Sequence, residues 1–377
     1  MEVTTYTADD GTTYRIRVAT PSDAAEITAL HSAVWGGDGT DAWFRWKYVE
    51  NPYVDHVPAL VAEHDDAIVA AFGLLLYRMR QDETTGLGAL GGDLVVHPDH
   101  RRRGLFTQLS MAVWSFYAEE RVDESERPDF VFGYQTEAAR LGALAMGWRQ
   151  LAERTTYRRT NDPTPFLADA VGPAAARALG PASRLLARGY AALRRRLAGT
   201  PRGVRVERRD DVPPGVLAGV ADRARPAHLH PIYDEAFYDW QFTGPTWRPN
   251  ATYLAYAGGD PDPVAAVLTR VEERGGARTV SLIHAAPLTG GDRWTRGLAA
   301  ILDRVVADSR DAAFLRAWNP VYPARLLEAR GFLPDDRPPL SLVTGSDLTL
   351  TAYAFHWGRF DGDDLPAAAD ALWTLDK

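Results

Sequence analysis

The chain has 377 residues, 46% of them hydrophobic, a formal charge of −8 and no cysteine. That length predicts two domains with enough apolar residues for buried cores, and the acidic balance argues against a general nucleic-acid partner. Without cysteine there is neither a disulfide nor a thiolate nucleophile. With no apolar run of membrane-spanning length and no signal-like N-terminus, the expected location is the cytoplasm.

Residues 14–18 alternate as a strand, and Pro21-Ser22-Asp23 offers an N-cap for a helix over 24–34. A short helix carries residues 44–48 and stops before Pro52. Strands are expected over 59–63, 67–78 and 86–96. Leu94, Val95 and Val96 end the last of these, and Pro98, which has no N–H, stops the ladder. Leu105, Phe106, Leu109, Val113 and Phe116 then recur at helical spacing, predicting a helix from 105 to about Glu120. Arg101, Arg102, Arg103 and Gly104 therefore form a tight turn at a helix N-terminus. Unpaired N–H groups and the positive dipole end make such a turn an anion site, and Gly104 lets a phosphate approach the backbone. A strand over 130–134, a helix over 137–147 and a last strand over 148–158 complete this half.

The second half repeats the first in order. Residues 204–207 match the opening strand, and Asp210-Asp211 opens a turn as Pro21-Ser22-Asp23 does. Tyr238-Asp239-Trp240-Gln241-Phe242 echoes Phe44-Arg45-Trp46-Lys47-Tyr48, and a strand begins thirteen residues after each Trp. Gly331-Phe332 closes a helix as Gly147-Trp148 does. The offset stays between 184 and 195, which reads as a tandem duplication. The copies differ where chemistry would lie. After a strand over 279–285 the second copy has no Arg-x-x-Gly turn, and Gly290-Gly291 reads as a loop before a helix. This half is expected to have lost anion binding and to shape the substrate cleft.

Between the copies, residues 160–202 are rich in Pro, Ala and Arg. They predict an amphipathic helical linker interrupted at Gly180-Pro181, solvated rather than bound to a membrane. A homo-oligomer is left open. His228 and His230 have no partner ligands nearby, so no metal is expected. Lysine occurs only at Lys47 and Lys377.

Val-x-His-Pro-x-x-Arg-x-x-Gly, ending at Gly104, resembles the acetyl-CoA pyrophosphate loop of GCN5-related N-acetyltransferases (GNAT), whose pattern is Arg/Gln-x-x-Gly-x-Gly/Ala. Arg101 and Gly104 match, and Phe106 stands where a small residue is usual. The variant is similar to the branch holding the enhanced-intracellular-survival type acetyltransferases. The resemblance covers most of residues 14–158, and 203–345 only as a degenerate copy. It implies a mixed-sheet α/β fold of two tandem GNAT-like domains: 1–159 binding acetyl-CoA, a linker over 160–202, and a degenerate domain over 203–377. It also implies an acetyl-CoA-dependent N-acetyltransferase, without metal, whose acceptor is a small-molecule amine such as an amino sugar or aminoglycoside-like compound.

In that family the amine attacks the thioester directly. The resemblance implies that backbone groups of Leu94 and Val96 pair with the pantetheine arm, and that an N–H near Val95 polarises the thioester carbonyl. The N–H groups of Arg102, Arg103, Gly104, Leu105, Phe106 and Thr107 would take the pyrophosphate. Asp93 and Glu137 are the candidate bases, each with a plainer reading: a strand-end carboxylate held by backbone, and a helix-N-terminal charge. The family's acidic Tyr falls on Ala143 and its Asn on Thr136. Tyr134 or Thr136 would have to replace the acid, or the thiolate leaves unassisted. Two alternatives stay open: a peptidoglycan-bridge-type transferase using aminoacyl-tRNA, and a non-catalytic acyl-CoA-binding regulator.

Overall fold

The computed structural model describes residues 2–36, 39–119, 122–245, 248–274, 277–342, 348–372 and 374–375, so the helix end expected at Glu120 lies outside the described residues. A hairpin of β1 (Glu2–Thr7) and β2 (Thr13–Val18) precedes α1 (Ala24–Trp35) and α2 (Asp41–Phe44), which continues as a π-turn over Arg45–Val49. The antiparallel strands β3 (Ala59–His64), β4 (Ala67–Gln81) and β5 (Thr84–Val96) lead to α3 (Leu105–Ala118), β6 (Phe130–Gln135), α4 (Glu137–Ala145) and β7 (Arg149–Glu153). β8 (Thr155–Thr160), α5 (Thr164–Val171) and α6 (Pro173–Ala198) follow. The second set comprises β9 (Val204–Arg209), α7 (Pro214–Asp222), β10 (His230–Pro231), α8 (Glu235–Thr243), β11 (Ala251–Ala257), β12 (Ala265–Arg274) and β13 (Ala277–Ala286). It ends with α9 (Asp292–Asp308), β14 (Phe314–Asn319), α10 (Ala324–Glu328), β15 (Leu333–Pro334), β16 (Thr349–Ala354) and α11 (Asp364–Leu372). β3 and β4 are apolar almost throughout because both faces of the sheet are covered.

The first sheet runs β1-β2-β3-β4-β5-β6-β16-β7, and the second runs β15-β8-β14-β13-β12-β11-β9. With β9 laid on β2, the two orders coincide, and β8 holds in the second sheet the place that β16 holds in the first. Each half thus lends a strand to the other half's sheet. Thr349–Ala354 pairs antiparallel with Gln135–Phe130, and Thr155–Thr160 pairs antiparallel with Asn319–Phe314. The division expected at 159/160 is crossed by both sheets. The single strand expected over 148–158 is two strands, because Arg149–Glu153 pairs with β16 while Thr155–Thr160 pairs with β14 and β15.

The repeat is also visible in one contact. Trp46 donates its indole N–H to the Trp240 carbonyl at 2.6 Å, and Trp240 donates its own to the Trp46 carbonyl at 2.8 Å. Reciprocal bonds between equivalent residues are what a two-fold relation requires. Both rings are buried where the lobes meet, with centroids 6.1 Å apart.

α6 is unbroken from Pro173 to Ala198, contrary to the interruption expected at Gly180-Pro181. Proline removes one intrahelical bond there, but Gly180 has no side chain and lets the turn sit against Thr164. The C-terminal segment is built into the first lobe. Asp129, 2% exposed, accepts the Arg359 guanidinium at 2.9 Å on both oxygens and the Leu87 N–H at 2.7 Å.

Candidate active site

β5 and β6 are parallel but pair only through Gly88–Leu90 and Phe130–Phe132. Beyond Leu90 they part. The register of β5 against β4 slips between Ala71 and Gly73, and Asp93 adopts a left-handed φ of 54° there. This is a β-bulge, which bends its strand and re-aims the residues that follow. The opening is a cleft of about 1100 Å³, walled by Asp93 to Val96 on one side and Tyr134 to Thr136 on the other, with Phe106, Ala143 and Met146 between α3 and α4.

At the cleft's end, Arg102 and Gly104 take φ values of 62° and 77°. Left-handed residues in a tight turn gather backbone N–H groups into an anion-binding concavity. The first internal bond of α3 runs from the Gln108 N–H to the Gly104 carbonyl at 3.0 Å, so the N–H groups of Leu105, Phe106 and Thr107 precede it. Of the expected cofactor residues, Leu94, Val95, Val96, Arg101, Arg102, Gly104, Leu105 and Phe106 line the cleft. Phe106 is accommodated because Gly142 faces it; a Cβ on Gly142 would lie 3.2 Å from its ring.

The side chain of Arg103 does not join them. Its guanidinium turns to the β1–β2 hairpin, 2.8 Å from Asp10 and 3.2 Å from both the Tyr14 hydroxyl and His100 Nδ1. The Tyr6 hydroxyl donates to the Arg103 carbonyl at 3.0 Å. The hairpin thus braces the turn, a role sequence reading missed because β1 was not foreseen. Burial first, then the charge of Arg103 and the neighbouring His64 and His97, hold the His100 imidazole below its ordinary pKa.

The N–H expected near Val95 to face a thioester is directed elsewhere. The His97 N–H donates to the Val69 carbonyl of β4 at 2.8 Å, and strand alternation then turns the Val95 N–H toward β4 and the Val96 N–H toward the cleft. The Val96 carbonyl also faces outward, 3.3 Å from Arg101 Nε.

The candidate acid–base residues fare differently from one another. Asp93 is at the bulge, but its Oδ2 is ion-paired with Lys47 and accepts the Tyr48 hydroxyl at 2.5 Å. The Lys47 side chain is only 5% exposed, and its ammonium lies 5.0 Å above the Trp43 ring. Burial and the Asp93 charge push the Tyr48 phenol far above its ordinary pKa, so it stays a donor. A carboxylate beside a buried ammonium is a poor proton acceptor. Tyr134 lines the cleft, yet its hydroxyl donates to the Leu372 carbonyl of α11. Glu137 is exposed in the first turn of α4 and is absent from the cleft wall. Thr136 and Ala143 both line the cleft. Lys47 is the residue the sequence hinted at without yielding its role, being the single lysine before the C-terminal one.

The second lobe closes the equivalent space. β13 and β14 are parallel over Thr279–Ser281 and Phe314–Arg316. Past that point the Tyr322 hydroxyl donates to the His284 carbonyl at 2.9 Å, so this β13 acceptor is already occupied. His284 Nε2 lies 3.0 Å from the Tyr238 hydroxyl, and Tyr233, Phe237 and Phe242 enclose the ring. Gly290 and Gly291 have no left-handed conformation, and a Cβ on Gly290 would meet Trp294 at 2.5 Å. Among the described residues no cluster of three metal-ligating side chains occurs, and His230 Nδ1 is 2.8 Å from the His228 carbonyl. No helix there is long and apolar enough to cross a membrane.

Residues 15–124 match the profile of the acetyltransferase (GNAT) domain. No curated protein matches the sequence. Among solved structures, a GCN5-related N-acetyltransferase from Kribbella flavida is similar over 90% of this chain and 71% of its own, at 14% identity and a TM-score of 0.54. Saccharomyces cerevisiae N-myristoyltransferase with bound myristoyl-CoA is similar over 93% and 82%, at 11% identity and a TM-score of 0.58. Eis1 from Mycobacterium abscessus is similar over 89% and 72%, at 14% identity and a TM-score of 0.51. At such identities the likeness is one of fold, and it extends over both lobes. The matched stretch, residues 15–124, holds β5 and the left-handed turn that follows it, and there this chain is similar to the acetyltransferase (GNAT) domain.

Proposed function

We propose that this chain is an acetyl-CoA-dependent N-acetyltransferase that acts on the primary amine of a small molecule, with its one acyl-CoA site in the first lobe. The observation that carries this is the contrast between lobes: a cleft above a left-handed turn in one, and a plug of Tyr238, His284 and Tyr322 in the other. The turn from Arg102 to Gly104 and the first N–H groups of α3 take the pyrophosphate. The pantetheine arm lies along Leu94–Val96 and adds a strand where β6 has departed. The neutral amine attacks the thioester carbon, the resulting tetrahedral species breaks its C–S bond to expel CoA thiolate, and the proton shed by the nitrogen passes to that thiolate directly or through water.

Deprotonating an amine of pKa near 8 costs about 1.4 kcal/mol at pH 7, against about 4.6 kcal/mol for a lysine-like amine. With Asp93 held by Lys47, the weaker-base acceptor is the better fit, which favours an amino sugar or a similar compound. Ala143 and the engaged Tyr134 hydroxyl leave no evident acid and favour a second reading, an acyl-CoA-binding regulator.

Release of free thiol from acetyl-CoA with a panel of small amines separates the two. Turnover with at least one amino sugar is expected, and tight CoA binding without turnover on any amine favours the regulator. Calorimetry should give one CoA per chain; two equivalent sites would sink the contrast between lobes. Gly104→Asp puts a carboxylate at the phosphate position and a Cβ 2.7 Å from the Tyr6 hydroxyl. CoA affinity should fall at least about a hundredfold, because like charges at short range repel strongly where solvent is partly excluded.

A further inference from the structure

α6 shows solvent an apolar seam that no described residue covers. Leu179, Leu186 and Leu193 recur every seven residues, and Ser183, Tyr190 and Leu197 follow each of them by four. This is the a/d spacing of a helix that packs along another helix. Leu179, Leu186, Leu193 and Leu197 are 51, 75, 57 and 74% exposed. A different face of α6 is anchored: Ala176, Gly180 and Ala191 are buried, Arg194 donates to the Glu328 carbonyl at 2.9 Å, and Arg195 lies 3.6 Å from Asp303. The seam is therefore presented by a fixed helix.

We propose that a second copy of this chain covers the seam, its α6 lying antiparallel to the first across a two-fold axis level with residue 188. Leu179 then meets the partner's Leu197, Leu186 meets its Tyr190, and Leu193 meets its Ser183. Ala182 and Gly189, flanking the seam on its open side, permit close approach. A parallel pair would set Arg196 on the same flank as the partner's Arg194, whereas the antiparallel pair sets it against the small residues at the other end of the seam. The exposed area of the seam is roughly 550 Å² per copy, so a pair buries on the order of 1,100 Å², just above the ~1,000 Å² that a specific interface clears. A bilayer is the poorer occupant: the seam has no Trp or Phe to anchor it.

Sedimentation equilibrium of the full chain, up to about 100 μM, should give a species of twice 41.5 kDa. The variant Leu186→Glu/Leu193→Glu should be a monomer with unchanged circular dichroism, because both positions are exposed in the single chain, and its thermal midpoint should no longer rise with protein concentration as the wild type's does. The chain has no cysteine, so single cysteines report the register cleanly. Leu179→Cys mixed with Leu197→Cys should form a disulfide-linked pair that neither variant forms alone. A wild-type chain that stays monomeric, a Glu variant that stays dimeric, or self-linking of either cysteine variant overturns the proposal. So does a monomeric wild type that sediments with phosphatidylglycerol vesicles through Leu186 and Leu193, which would assign the seam to lipid.

Discussion

Lys47 decides how Asp93 is to be read. A carboxylate at a strand end is a fair base, but the same carboxylate, mostly buried and ion-paired with a buried ammonium, mainly pins the bulge that opens the cleft. Asp93→Asn and Lys47→Met should each lower the rate about ten- to a hundredfold, with pH–rate profiles parallel to wild type. Each should also lose stability, toward the lower end of the about 3–5 kcal/mol typical of a broken buried pair. A deficit in Asp93→Asn that shrinks as pH passes the acceptor's pKa would instead make Asp93 the base. At this scale the tight turn before α3 was legible, because Pro98, Gly104 and the periodicity of α3 are local signals. The partner of Asp93 was not, because 46 residues separate it from Lys47 and no periodicity links the two.

Among the elements, β13 shows how a fold keeps its topology while side chains fill the space beside a strand. Its buried His284 is held neutral: burial depresses its pKa to about 3. The unfolded chain takes up that proton below about pH 6.5, while the folded chain does not until about pH 3. Folding stability should therefore be intact above pH 6.5 and fall as the medium is acidified below it, by up to about 1.4 kcal/mol per pH unit from this group. Urea melts between pH 7 and pH 4.5 should give a shallower slope for His284→Gln than for wild type; equal slopes would mean that the ring is solvated. The degeneracy of this half was readable as a missing Arg-x-x-Gly turn. The plug was not, since Tyr238 and Tyr322 lie 84 residues apart in the chain and meet only through His284. Similarly, the register of α6 across Pro181 was set by packing against Thr164, which local propensity does not report.

For the molecule as a whole, the exchange of β8 and β16 makes each sheet depend on the other half of the chain. Residues 1–159 alone would leave β6 and β7 without the strand that joins them, exposing two unpaired edges. That fragment should be unfolded or aggregated, while the full chain should unfold in one transition by fluorescence and by circular dichroism alike. Two separate transitions would mean that the lobes are independent despite the exchange. The duplication was visible in sequence as a constant offset, but a strand that follows its own copy in sequence gives no sign that it pairs with the other.

The exchange also sets a timetable. During synthesis the first sheet lacks two strands at residue 153, the two-residue β10 on β4 and β16, and β16 is residues 349–354. At ordinary elongation rates that gap of almost 200 residues corresponds to on the order of ten to forty seconds. Throughout that interval the nascent cleft stands on an open sheet whose β6 edge has the ribosome, a chaperone or a neighbouring chain for company. The lobe made first is completed last.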